Sequence, residues 1–360
     1  MFHCARYPIM QEGGFDVIIG NPPYLEMREI DYQPRNFKSV ESGAVHVLCI
    51  ERGLNLLKAT GGLSMIVPLA LVSTQRMQTI QNLLENKRTV FYSNYSWRPG
   101  KLFDTVNRAL TIFIAHFTKE SKTFSTKYEK WISETRNGLI ERISYVEVPH
   151  QRQLFWVPKL GSNIEQSILN KVTKQKSTIA HFNTKSDYKV FYRTTGGLYW
   201  KVFTDFPPAF NVEGKSGHSS RETWFSLSKK EMVKPVIAIL SSDIFWWWYT
   251  ITTNLRDLNP SDIQKFPIPE DVLNDTTLAR VAETYLKDLQ QNSTMLMRIQ
   301  KQTGLTETQS FKIQKSKPII NEIDRILAQH YGFTAEELDF IINYDIKYRM
   351  GKSSEEEGEE

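Results

Sequence analysis

Apolar residues near the start of the chain fall into short continuous runs, separated by stretches with helical spacing. Phe15 to Ile19 is such a run, interrupted only by Asp16, and predicts a strand buried on both faces of a parallel α/β sheet. Val45 to Ala59 sets Val47, Leu48, Ile50, Leu54 and Leu57 along one helical side, and Gly61-Gly62 stops the helix. Leu63 to Val67 reads as the next buried strand, Val72 to Asn86 as a second helix, Thr89 to Asn94 as a third strand and Leu110 to His116 as a fourth. Strand and helix in alternation are the pattern of a doubly wound sheet. Between the first strand and the first helix, Glu26 to Gly43 is polar and charged, which predicts a mobile flap.

From Thr118 the pattern changes. Lys119 to Lys130 is rich in Lys, Ser and Thr and reads as a linker or surface hairpin, and Asn163 to Lys174 as a short helix. Tyr188 to Phe203 alternates aromatic and polar residues around Gly196-Gly197, a hairpin that would leave Tyr192, Arg193, Tyr199, Trp200 and Lys201 available to a partner. The loop Asn211 to Trp224 adds Lys215, His218, Ser219, Ser220 and Arg221. Interleaved aromatic, hydroxyl and basic groups can contact phosphates and base edges together, although a solvated hairpin with core aromatics fits the same residues. Met232 to Leu240 is an apolar helix, and Phe245 to Tyr249 after it, FWWWY, reads as core. Thr277 to Gln300 and Pro318 to His330 are expected helical, Thr334 opens a last helix, and Gly351 to Glu360 is expected disordered.

Composition narrows the class. Of 360 residues, 40% are hydrophobic and 24% charged, ordinary for a chain that buries a core. The net charge of +5 conceals an acidic tail, Glu355 to Glu360, outside which 45 lysines and arginines face 35 acidic residues. That balance suits a polyanionic partner. Cys4 and Cys49 cannot build a disulfide framework and neither has metal-ligand spacing to another Cys or His, which points to a reducing cytoplasm and no structural metal. The most apolar window, Val233 to Thr252, contains Lys234 and Asp243 and reads as core rather than a membrane span.

The candidate chemistry lies at the end of the first strand, in Asn21-Pro22-Pro23-Tyr24. Ligands of open parallel sheets bind at the carboxyl ends of strands. Two prolines fix φ and remove two donors, so the loop is rigid and rich in acceptors. The Asn21 side-chain carbonyl and the Pro22 backbone carbonyl can hold both hydrogens of an exocyclic amine while Tyr24 stacks on the ring that bears it, as for a flipped nucleobase. Those hydrogen bonds would pull the amine towards tetrahedral geometry and free its lone pair for an electrophilic methyl. An ordinary Asn-Pro turn is the plain alternative.

GFDVIIGNPPYL resembles the catalytic motif of the S-adenosylmethionine-dependent N6-adenine DNA methyltransferases of the gamma order. Gly61 to Pro68 is similar to the family's next strand, and Leu102-Phe103-Asp104 with Val106 to Ile114 to its last catalytic strand. Tyr192 to Gly197, Ile239 to Ser242 and Ile342 to Arg349 resemble specificity-domain and tail segments of the large, type IIG-like restriction-modification methylases. The resemblance implies an adenine-specific DNA methyltransferase with Asn21, Pro22, Pro23 and Tyr24 catalytic, Tyr24 and Phe103 stacking on the target base, and duplex DNA bound through Arg193, Lys201, Lys215 and Arg221. The implied fold is the second half of a Rossmann-like class I methyltransferase sheet, 1–118, then a mixed α/β target-recognition domain, 119–270, C-terminal helices, 271–350, and the acidic tail, 351–360.

The sequence departs from that family in two places. No glycine-rich first turn and no following acidic residue precede Phe15, so the main S-adenosylmethionine motif is missing, and Ala44-Val45-His46 is atypical of the segment that lines the cofactor's adenine. The expected partner is an N-terminal methyltransferase half, or a subunit supplying it, that pairs with the bare edge of the first strand. A non-catalytic DNA-binding or specificity remnant is an alternative, and transfer to a protein glutamine amide or to RNA is a third, since those methyltransferases share NPPY.

Overall fold

The structure, a computed structural model, describes residues 8–149, 156–196, 199–300 and 304–351. Cys4, Gly197 at the expected hairpin turn, and the acidic tail from 352 onward lie outside the described residues. The chain divides into two compact units, Met1–Gln166 with Thr250–Asn254, and Ser167–Tyr249 with Leu255–Glu360.

The first unit is built on a six-stranded mixed sheet of β1 (Phe15–Gly20), β2 (Leu57–Pro68), β3 (Arg88–Tyr95), β4 (Leu110–Phe117), β5 (Lys122–Glu129) and β6 (Val146–Glu147), in the order β1-β2-β4-β3-β5-β6. Helix Val45–Leu56 carries the chain from β1 back to β2, which makes that pair parallel. β4 runs antiparallel to both β2 and β3, and β5 is parallel to β3. The sheet is therefore mixed, rather than the all-parallel one the alternation alone suggests. Val47, Leu48 and Ile50 of the helix are buried, as are Ile80 and Leu84 of helix Gln78–Glu85. Where helix, β1 and β2 meet, Gly14 has φ +113 and a Cβ would lie 2.5 Å from the Leu56 carbonyl oxygen, so only glycine lets the two backbones approach.

Two strands differ from expectation. β1 is not buried on both faces: Phe15, Val17 and Ile19 are 39%, 62% and 79% exposed, because among the described residues β1 is the sheet edge and pairs only with β2. Lys119 to Lys130 is not a linker, since β5 lies inside the sheet between β3 and β6. Its polar residues are buried because they bond to neighbours: the Asn94 side-chain amide donates to Ser125 Oγ and to the Thr126 carbonyl, and Thr111 donates to Asn94 Oδ1. Polar strands satisfied in this way carry no hydrophobic signature.

The second unit contains β7 (Ser177–Thr178), β8 (Lys189–Arg193), β9 (Phe203–Thr204), β10 (Phe210–Val212), β11 (Lys215–Ser216), β12 (Glu222–Ser226), β13 (Pro267–Ile268), β14 (Ser293–Gln300) and β15 (Gly304–Phe311). They form sheets ordered β12-β8-β9, β11-β10-β15-β14 and β13-β7. Phe245 to Tyr249 is buried throughout, as expected of core. Tyr192, Tyr199 and Trp200, expected to be available to a partner, are buried too. The segment Thr277 to Gln300 is helical only as far as Gln291. Ser293 starts an antiparallel hairpin with β15, in which Met295, Met297 and Ile299 share one face.

The tail segment 342–349 closes this core. Arg349 lies 3.8 Å over the Trp200 ring, pairs with Asp243 through Nη1, and its carbonyl accepts from Trp200 Nε1. Lys317 Nζ sits 2.6 Å from the other Asp243 oxygen, and Asp324 accepts the backbone N–H groups of Asp243 and Ile244 at the start of helix Asp243–Thr252. Among the described residues no helix is long and apolar enough to cross a membrane.

Candidate functional site

Asn21 to Tyr24 follow β1 directly, at the carboxyl end of a strand that is parallel to its neighbour. Pro22 is buried, Asn21 and Pro23 are exposed, and Tyr24 is half-buried. The Tyr24 hydroxyl donates to Asn21 Oδ1 at 2.8 Å and lies 3.3 Å from the Ile66 carbonyl of β2. Burial raises its pKa, so the hydroxyl stays neutral and remains a donor. The aromatic ring and the side-chain carbonyl of the loop are thus held against each other and against β2. Asn21 Oδ1 is turned to where a donor sits, which is what acceptance of an amine hydrogen requires.

Four residues absent from the sequence-based site hold this loop and the segments beside it. Arg108 Nη1 donates to the Tyr24 carbonyl at 3.1 Å, tying the NPPY loop to the β3–β4 connection. That connection carries Phe103, which is half-buried, and Arg136 braces it by donating to the Lys101 and Leu102 carbonyls. On the other side, Glu26 bridges to Ala44 and receives both Nη atoms of Arg76, at 2.6 and 2.7 Å. The Arg76 guanidinium holds the Glu26 carboxyl below the usual carboxylate range. Arginines in a polar segment give no periodic signal, so only their geometry reveals these roles.

His46 lies in the first turn of helix Val45–Leu56, 4% exposed, with neither ring nitrogen hydrogen-bonded among the described residues. Burial pushes its imidazole down to about 4, with Arg76 and Arg108 acting in the same direction against Glu26. It is neutral beside the loop. The segment 26–43, expected as a flap, is anchored instead: Val45 N–H bonds to the Leu25 carbonyl, Met27 N–H to the Gly43 carbonyl, and the buried Glu51 carboxylate accepts the backbone N–H groups of Lys38 and Ser39.

Before β1 the described chain contains only the helical turn Pro8–Gln11, and β1 is the first strand of its sheet, so the described residues form no glycine-rich loop after an earlier strand. Nor, among them, are three or more His, Cys, Asp or Glu side chains grouped to hold a metal ion.

The basic residues singled out in the second half lie in the second unit. β8 and β12 pair in a register that places Lys189, Phe191 and Arg193 beside Ser226, Trp224 and Glu222 on one face of the three-stranded sheet. The opposite face, with Val190, Tyr192 and Phe225, is core. Trp224 is 45% exposed, with Lys189 Nζ 5.0 Å from its ring centre and the rings of Phe191 and His218 about 6 Å away. Arg221 is fixed next to Arg193 because its carbonyl accepts both the N–H and the hydroxyl of Thr194. Lys201 is turned inward, donating to the Gly196 carbonyl and lying 5.1 Å from the centre of the Tyr249 ring. Lys215 is exposed on β11, in the other sheet.

Comparison with known proteins bears on both units. Residues 2–98 match the family model of the Eco57I restriction-modification methylases. Among solved structures, the chain is similar to the type IIL restriction-modification enzyme MmeI in complex with DNA, with a TM-score of 0.50 and 9% identity over 91% of this chain and 56% of that one. It also matches the type IIG restriction endonuclease BpuSI, at 10% identity over 92% of this chain and 54% of that one, but the TM-score of 0.33 carries no argument. The likeness to MmeI is one of fold, and this chain spans about half the length of each of these two proteins. No curated protein matches.

Proposed function

We propose that this chain is the target-base and specificity portion of an adenine-specific DNA methyltransferase of the restriction-modification kind. In this reading a flipped adenine enters beside the NPPY loop. Its N6 amine gives one hydrogen to Asn21 Oδ1, displacing the Tyr24 hydroxyl, and the other to the Pro22 carbonyl, while the rings of Tyr24 and Phe103 stack on the base. Two acceptors drawing on one nitrogen favour a tetrahedral amine, whose lone pair is no longer shared with the ring. Pro22 and Pro23 keep the loop from relaxing, and Arg108 holds the Tyr24 carbonyl. The observation that carries this reading is the Tyr24 to Asn21 hydrogen bond at the carboxyl end of β1, which brings a stacking ring and an amine acceptor together.

The family match implies S-adenosylmethionine as methyl donor. We assign its cradle to an N-terminal methyltransferase half or a subunit supplying it, which adds strands to the edge of β1, where Val17 and Ile19 lie exposed. Duplex DNA is the second partner, gripped in the second unit through Arg193, Arg221 and Lys215, with Lys201 held inward on Tyr249, and the setting is the cytoplasm. A second reading is a DNA-binding specificity remnant without catalysis.

The two readings separate in a complex reconstituted with the upstream half. Catalysis through the loop predicts that Asn21→Ala lowers adenine methylation on the order of 10²–10³-fold with duplex affinity unchanged. Methylation unaffected by Asn21→Ala would leave only the binding role.

A further inference from the structure

Within the second unit, a cavity of about 200 Å³ opens where the β12-β8-β9 sheet meets the short helix Pro260–Gln264. Tyr192, Thr223 and Phe225 line it from the sheet. The register pairs Tyr192 with Thr223 and Val190 with Phe225, so these side chains share the face opposite Lys189 and Trp224. Ile263 and Gln264 line it from the helix, and Asn183 from the segment between β7 and β8. None of the lining residues carries a charged side chain.

Backbone hydrogen bonds fix these walls to one another. Leu258 N–H donates to the Thr194 carbonyl at 2.8 Å, which ties the approach to the helix to the end of β8. Asp262 accepts the Asn259 N–H and side-chain amide, at 2.8 and 3.0 Å, and so holds the first turn of the helix. Beyond the helix β13 pairs with β7, and on the far side Thr184 N–H donates to the Ser226 carbonyl and Ser228 N–H to the Phe182 carbonyl. The cavity is therefore preformed. Inside it, Tyr192 is 3% exposed, and burial pushes its hydroxyl up to about 12, so it is a neutral donor. That hydroxyl and the side chains of Asn183, Thr223 and Gln264 make no hydrogen bond among the described residues.

Buried polar groups left without partners inside a fold are costly unless something else meets them. Each carboxamide sets a donor beside an acceptor, the hydroxyl can act as either, and Phe225 and Ile263 supply apolar wall. The complement is a neutral, planar ring with donors and acceptors along its edge, the kind of edge that Asn and Gln read on bases. A phosphate would find no counter-charge here. The volume lies below the roughly 300–1,000 Å³ of sites for drug-sized ligands, so one ring system fits and a whole dinucleotide or comparable cofactor does not. We infer that this cavity is a second nucleobase pocket, distinct from the NPPY loop, in which Tyr192, Gln264 and Asn183 hold the edge of an unstacked neutral base. The inference rests on the DNA reading above for the source of that base. A free nucleoside presents the same chemistry.

The full chain is titrated by fluorescence anisotropy with labelled oligo(dA), oligo(dC) and oligo(dT) single strands and with an abasic strand of equal length, and by calorimetry with the four free nucleosides. Wild type is expected to bind at least one homopolymer about tenfold more tightly than the abasic strand. Tyr192→Phe, which keeps the ring, and Gln264→Met, on the partly exposed helix, should each remove about three- to tenfold of that preference while leaving affinity for the abasic strand unchanged. A preference untouched by both substitutions would place the base elsewhere and overturn the pocket. Equal affinity of wild type for all strands, with no nucleoside bound, would also overturn it; salt-sensitive duplex binding by the same protein would leave the DNA reading standing, and its absence would remove both. Nucleoside binding weakened by the two substitutions, without preference among the strands, would keep the pocket and assign it to a free nucleoside.

Discussion

Asp243 is fully buried, and its two oxygens are served by Arg349 and Lys317. Asp324, buried beside it, is pushed well above the usual carboxylate range, by burial first and by the Asp243 carboxylate next. Removing one cation from such a set leaves a buried charge uncompensated, which costs far more than the intact pair contributes. Arg349→Ala should therefore destabilise the second unit by about 3 kcal/mol, seen as an earlier urea midpoint in tryptophan fluorescence. Arg349→Lys should be less damaging but still destabilising, because an ammonium cannot reproduce the planar stack on Trp200. A midpoint within error of wild type for Arg349→Ala would refute the assignment. At this scale the sequence displayed the residues of the NPPY loop but not their supports. Asn21, Pro22 and Tyr24 are recognisable because their chemistry is local to four residues. Arg108 and Arg76 act across the fold, 84 and 50 positions from their partners.

Among the elements, β1 is the one whose environment differs most from its composition. Its residues suit a central strand, yet Val17 and Ile19 are exposed and one edge of its backbone faces away from the sheet. Exposed apolar edges are templates for strand addition, and charge blunts them. Val17→Lys with Ile19→Lys should cost the isolated chain little, within about 0.5 kcal/mol for surface positions. It should reduce self-association in sedimentation and abolish co-purification with the upstream half. Equal co-purification of the doubly substituted chain would mean the seam lies elsewhere. Strands with apolar runs, β2, β3 and β4, were legible, as were the helices that pack on them. β5 was not, because its Ser125 and Thr126 are satisfied by Asn94 rather than by apolar burial. Nor was β14, whose residues STMLMRIQ follow a true helix without a proline or glycine to mark the change.

For the whole molecule, the NPPY loop lies in one unit and the basic, aromatic sheet face in the other. On the proposed division, in which the upstream half carries the donor side, the chain alone should show no stoichiometric uptake of S-adenosylmethionine in calorimetry, and the complex with that half should. Saturable one-to-one binding by the isolated chain would refute the division of labour. The sequence by itself determined the reaction class to be expected, the order of the first four strands along the chain, and the burial of FWWWY. Each of these depends on residues close together in the chain, where stereochemistry and hydrophobic period act directly. Only the tertiary structure decided that β1 is an exposed edge, that Arg108 and Arg76 brace the loop, and that Asp243 is paired with both Arg349 and Lys317. Those outcomes depend on which distant segments lie side by side, and hydrogen-bonded polar residues and convergent charges leave no periodic trace of that in the chain.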